Sequence, residues 1–120
     1  MTKKIAILAI LSMFLLGLTA VAADSNFGVG KTRTITFTDA TKVGETVLPA
    51  GEYKVLHLME GDNHTMVFKT LTNKEVARVK CTMVKLDKKA DQTLSEMKTV
   101  DNQHILTGLI FAGDTYRHSF

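Results

Sequence analysis

The stretch EVARVKCTMVKL, residues 75–86, sets Ala77, Val79, Cys81 and Met83 on one side of a period-two pattern and Arg78, Lys80 and Thr82 on the other. Successive side chains leave a pleated strand on opposite faces, so this alternation predicts a long, half-buried β-strand. The same pattern recurs on both sides in shorter pieces. Upstream, residues 32–38 oppose Ile35 and Phe37 to Thr34, Thr36 and Thr38, and after a turn at 39–42 a short strand covers 44–48. Residues 52–59 put Tyr53, Val55, His57 and Met59 on one face. Leu56 and Leu58 on the other face are apolar too, which predicts a strand covered on both sides. A polar loop at 60–64 leads to a strand at 65–71, and 72–74 is short enough for a hairpin.

Downstream, a charged turn at 87–91 precedes a polar, edge-type strand at 93–100 and a turn at 101–103. Residues 104–111 carry Ile105, Leu106, Leu109, Ile110 and Phe111 on both faces, as expected of a central strand. After a turn at 112–114, Tyr116, His118 and Phe120 share one face of the terminal strand. No window shows a helical stripe closed by caps, and the β-branched residues Thr and Val are abundant beyond residue 24. About seven strands joined by short loops predict an all-β chain. The expected architecture is a single antiparallel meander forming a closed or nearly closed barrel, with a two-sheet β-sandwich as the alternative. Such a barrel is filled mostly by its own side chains and leaves a narrow pocket at most.

The chain has 120 residues, enough for one such domain. Its first 23 residues read as a cleaved signal peptide: Lys3 and Lys4 form a basic start, residues 5–18 are uncharged and apolar, and Ala20, Ala22 and Ala23 offer small residues for cleavage after Ala23 or Ala22. The apolar run is shorter than the roughly 20 residues of a spanning helix, so no permanent membrane anchor is expected after cleavage. The predicted organisation is 1–23 signal peptide, 24–31 flexible N-terminal arm and 32–120 β-domain, exported to the periplasm or beyond. Removing Lys3 and Lys4 leaves 13 of the 15 Lys+Arg against 12 Asp+Glu, so the whole-chain charge of +3 falls to +1. A nearly neutral product with two Tyr gives no basis for nucleic-acid binding.

Residues 47–55, VLPAGEYKV, resemble the LPAG-x-Y-x-V segment of small exported β-proteins of acidobacteria and related soil bacteria. In that group the segment follows a strand and opens a seven- or eight-stranded domain. Residues 106–113 and 116–120 are similar to the group's last hairpin. The resemblance implies an exported β-domain and carries no catalytic or binding residue with it, since the group has no established activity. Similar L-P-A-G-x-Y turns occur in β-sandwich modules, which leaves the sandwich alternative open.

Candidate chemistry is sparse. His57, His64, His104 and His118 show neither H-x-H nor H-x-x-x-H spacing, so spacing points to no metal site and no cofactor. The lone Cys81 can form no disulfide within the chain and, lying on the Ala77/Val79/Met83 face, is expected to be a free, buried thiol. Ser25, Ser95 and Ser119 lie outside any G-x-S-x-G elbow, and no carboxylate loop has calcium spacing, so no catalytic residue is assigned. Polar-tipped residues do alternate with apolar ones on two strand faces, which makes Tyr53, His57, Tyr116 and His118 a candidate ligand pocket. The sequence thus predicts a soluble exported module that acts by binding or by structural interaction. Its expected partners are an envelope protein or a small apolar ligand. An outer-membrane barrel and an enzyme with an unrecognised site are weaker alternatives.

Overall fold

A computed structural model describes residues 27–120, and among these it has nine strands and no helix. They are β1 (Thr32–Phe37), β2 (Thr41–Val43), β3 (Thr46–Leu48), β4 (Gly51–Glu60), β5 (Asn63–Lys69), β6 (Glu75–Lys85), β7 (Leu94–Val100), β8 (Gln103–Ile110) and β9 (Tyr116–Ser119). The segment read as a signal peptide lies outside the described residues.

The period of two read from residues 75–86 is the geometry of β6. Ala77 and Cys81 are buried and Val79 and Met83 half-buried, while Arg78, Lys80 and Thr82 are exposed. This strand belongs to two partnerships. Up to Cys81 it pairs with β5, and from Thr82 onward it pairs with β9. It thereby joins the β1-β4-β5 part of the sheet to the β9-β8-β2-β3 part in one continuous path, with β7 attached to β8.

The chain is all-β as expected, but the expected antiparallel meander, closed or nearly closed, is corrected in three respects. Hydrogen bonding does not close the sheet, whose path ends at β1 and β3. The sheet is mixed, because β2 runs parallel to β8 through Thr41/His104 and Lys42/Ile105. The strand order also departs from a meander, since β9 lies between β6 and β8. The parallel pairing arises at β2, which begins within the turn that the sequence predicts at 39–42. Three residues are too few to display alternation, and the strand is held by remote pairing with β8 as well as by its hairpin with β3.

Local turn chemistry fixes the hairpins. Gly61 (φ 63°) and Asp62 form a two-residue turn that joins β4 to β5. Asp101 and Asn102 both have positive φ, 50° and 63°, as a type I′ turn between β7 and β8 requires. The LPAG corner has a specific lock: the Tyr53 hydroxyl donates to the Pro49 carbonyl at 2.6 Å, and the Tyr53 ring lies 5.7 Å from that of Phe37. Gly51 opens β4 at φ 149°, a conformation that side-chain-bearing residues rarely adopt.

One hydrophobic core is shared by both parts of the sheet. Ile35, Val55, Met66 and Phe68 come from the first part, and Val43, Leu48, Leu106 and Leu109 from the second. An open sheet can enclose a single core only by curling over it. Phe68 is fully buried at that centre, so Phe68→Ala should lower the unfolding free energy by about 3–5 kcal/mol through lost contacts and a residual cavity. Val100→Ala, on the exposed edge strand β7, should change it by less than about 0.5 kcal/mol. Urea denaturation of both variants checks the contrast, and equal losses would contradict this placement of the core.

Candidate functional site

Strand register assembles a polar cluster that sequence spacing does not display. Cys81 on β6 pairs directly with His64 on β5. His64 in turn pairs with Met59 on β4, and His57 lies two residues from Met59 on the same face. On the other side His118 on β9 pairs with Met83, two residues from Cys81 on the same face of β6. By parity, His57, His64, Cys81 and His118 form a diagonal stripe across four neighbouring strands. In a flat sheet β4 and β9 would stand about 14 Å apart, at about 4.8 Å per strand. The ring centroids of His57 and His118 are instead 4.9 Å apart, at 88° to each other. The curl of the sheet therefore brings the two ends of the stripe together.

The hydrogen-bond directions follow from chemistry. His57 Nδ1 lies 2.7 Å from the carbonyl oxygen of Phe27, which can only accept, so Nδ1 carries the hydrogen. Burial holds the His57 pKa below its ordinary value and keeps the ring neutral, which leaves a lone pair on Nε2. His64 Nδ1, at 2.8 Å, donates to that lone pair. His118 is 2% exposed, and among the described residues its hydrogen-bond partner is Cys81 Sγ, 3.9 Å from its Nδ1. Its ring also packs against those of His57, Phe111 and Tyr116. A thiol at that distance is a weak partner for a buried imidazole. Desolvation, reinforced by repulsion from His57, pulls its pKa down to about 4. Burial also pushes the Cys81 thiol up to about 11, so the thiol is protonated and unreactive as a nucleophile.

The cluster is walled by the chain that precedes β1. Phe27 stands edge-on to His64 and to Tyr116, at centroid distances of 5.5 and 5.2 Å. The Gly30 amide donates to the His57 carbonyl at 2.7 Å. These contacts come from the described part of the segment predicted as an arm at 24–31. Gly28 permits this close approach, with φ at 73° and a position where a Cβ would come within 3.2 Å of the Tyr116 hydroxyl and 3.3 Å of the Arg33 guanidinium. Arg33 on β1 reaches Asp114, in the β8–β9 connection, through two hydrogen bonds of 3.0 and 3.2 Å. Its guanidinium carbon also lies 4.7 Å from the centroid of Phe111. This largely buried pair staples by side chains a boundary that the backbone path leaves unpaired.

Of the four residues predicted to share a pocket, the structure brings together His57, His118 and Tyr116. Tyr53 lies apart in the LPAG corner, hydrogen-bonded to Pro49. His64, read from the sequence as loop, and Cys81, read as a small buried hydrophobe, join the cluster. His104 is remote from it and faces Asp39 at 3.7 Å. The interior beside His57, His118, Arg33 and Phe111 leaves about 10 Å³, space for one water and not for an organic ligand. Outside the cluster, Phe27, Met83, Lys85, Thr115 and Tyr116 line a groove of about 530 Å³. His57, Cys81 and His118 each offer a donor atom, and these atoms lie within 4.8 Å of one another, so this trio could hold a metal ion.

Comparison with known proteins finds no matching family model, no matching curated protein and no matching solved structure.

The buried histidine makes stability depend on pH. In an unfolded chain His118 titrates near 6.5, and in the folded chain near 4. Between these values the unfolded state binds the proton that the folded state refuses, so stability falls as pH drops from about 6.5 to about 4. The loss is on the order of 3 kcal/mol, with no contribution above neutral pH. His57 adds in the same direction, while Asp114 opposes and Arg33 and His64 reinforce the shift. Urea midpoints in chelator-treated buffer should fall between pH 7.5 and 4.5 in the wild type. The fall should be markedly smaller in His118→Phe, and an equal fall in both proteins would contradict the assignment.

Proposed function

We propose that the protein is an exported, non-enzymatic binding module of the bacterial envelope, and that its groove takes a small apolar ligand with one anionic end. The carrying observation is the groove of about 530 Å³, a volume within the range of small-molecule sites, with Phe27, Met83 and Tyr116 as apolar lining and Lys85 as its cation. An anionic group would pair with the Lys85 ammonium while the apolar part lay along the aromatic rings. Tyr116 belongs to both groove and histidine cluster, so part of the pocket expected at Tyr53, His57, Tyr116 and His118 is retained in this reading. His57 and His118 act behind the wall by fixing Tyr116 and Phe27.

Export rests on the signal-like residues 1–23, with their basic start, apolar run and alanines, and on the resemblance of residues 47–55 to exported β-proteins. The absence of charge bias after residue 23 agrees with a ligand carrier better than with a polyanion binder. A membrane-spanning barrel is the weaker reading, because the hydrogen-bonded path has free ends at β1 and β3 and bilayer-spanning sheets need closure. Catalysis is the weaker reading of the cluster, because its thiol is held protonated and its histidines are walled off by Phe27.

Anilinonaphthalene sulfonate, an apolar anion, is a direct probe. It should bind the wild type at one site, with affinity reduced about fivefold by Lys85→Gln through loss of a charge-assisted contact worth about 1 kcal/mol. Tyr116→Ala should weaken it further. Equal binding by wild type and both variants would exclude the groove as the ligand site.

A further inference from the structure

We propose that His57, Cys81 and His118 form a binding site for a single cuprous ion, held by one thiolate and two neutral imidazoles. This inference goes beyond the groove reading and does not depend on it.

The geometry is close to that of a metal site before any adjustment. Metal–nitrogen bonds of about 2.0 Å and metal–sulfur bonds of about 2.3 Å place donor atoms about 3.3–3.7 Å apart around a three- or four-coordinate ion. Cys81 Sγ and His118 Nδ1 already stand 3.9 Å apart, and all three donors lie within 4.8 Å. The approach needed is a matter of side-chain rotation on strands whose register is fixed. His57 has the supporting contact typical of a ligating imidazole: one ring nitrogen donates to a backbone carbonyl, that of Phe27, which fixes the tautomer and leaves the other nitrogen its lone pair. His64 now uses that lone pair, so ion uptake exchanges a hydrogen bond for a coordinate bond.

The room and the surroundings select the ligand class. The void beside His57 and His118, which Lys31 and Arg33 also line, is about 10 Å³ and excludes an organic molecule, so the trio's own donor atoms define the ion's place. Among the described residues the hydrogen-bond partner of His118 is the Cys81 thiol at 3.9 Å, a weak contact that coordinate bonds to an ion would replace. The donors are soft or borderline, and Met66 and Met83 are the strand partners of His57 and His118. A thiolate with a monovalent ion is neutral overall, whereas a divalent ion in the same trio would leave a buried net positive charge. Uptake replaces the S–H bond of Cys81 by an S–Cu bond, the proton leaves to the buffer, and no electron is transferred.

Anaerobic titration with Cu(I) against the chelator bathocuproine disulfonate tests the site on the full mature chain. The wild type should take one equivalent. Cys81→Ala and His118→Phe should each weaken uptake by about a hundredfold or more, with far-UV circular dichroism unchanged. Lys85→Gln should take up Cu(I) as the wild type does, which separates this site from the groove. X-ray absorption of the wild-type complex should show one sulfur and two nitrogen neighbours, a readout that stands even if a variant fails to fold. Failure of the wild type to compete for Cu(I), equal uptake by Cys81→Ala, a copper shell without sulfur, or uptake of one Zn(II) without any of Cu(I) would each overturn the proposal.

Discussion

The structure depends on one strand being shared. Seven residues of β6, Glu75–Cys81, face β5 and the last four, Thr82–Lys85, face β9, so a single stretch of backbone makes one sheet from two groups of strands. Its inward side chains, Ala77 and Cys81 with Val79 and Met83 beside them, then meet core residues from both groups. Were β6 to end at Cys81, β9 would lose its first partner and His118 its place opposite Met83. Core, curl and polar cluster all follow from this shared ladder, whose pairing with β5 shifts register between Phe68 and Lys69.

That ladder explains why titratable groups lie in the interior of a small domain. The stripe His57, His64, Cys81 and His118 is a consequence of register, and the curl folds the stripe onto itself. Burial then dictates the chemistry: neutral imidazoles, a protonated thiol and a tautomer of His57 set by the Phe27 carbonyl. The Arg33–Asp114 staple and Phe27 close the solvent side of the cluster. The groove uses the outer side of that wall, so the ring of Tyr116 connects the surface site to the buried one.

The sequence discloses strands well and their partners poorly. Alternation in 75–86 locates β6 and its buried face, and apolar residues on both faces mark β8 as central, as its pairing with β7, β9 and β2 bears out. The Leu48–Gly51 corner is equally visible, because proline and glycine leave a local signature there. The short β2 escapes, since its stability comes in part from β8, more than 60 residues away. The same limit applies to the cluster. Facing shows that His57 and His118 point inward, but their meeting with Cys81 and His64 requires the register of three strand pairs, which no local pattern encodes. In helices, metal-ligand pairs announce themselves by spacing; across a sheet, residues 37 positions apart, as Cys81 and His118 are, can be neighbours without any such sign.

Native-state amide exchange along β6 tests the shared-strand account most directly. The amides of β6 that are hydrogen-bonded to β5 and those hydrogen-bonded to β9 should exchange with the same opening free energy, close to that of global unfolding, because neither part of the sheet can open alone. Exchange of the residues 82–85 amides at a much lower free energy than those before Cys81 would show two separable units, and would contradict the account.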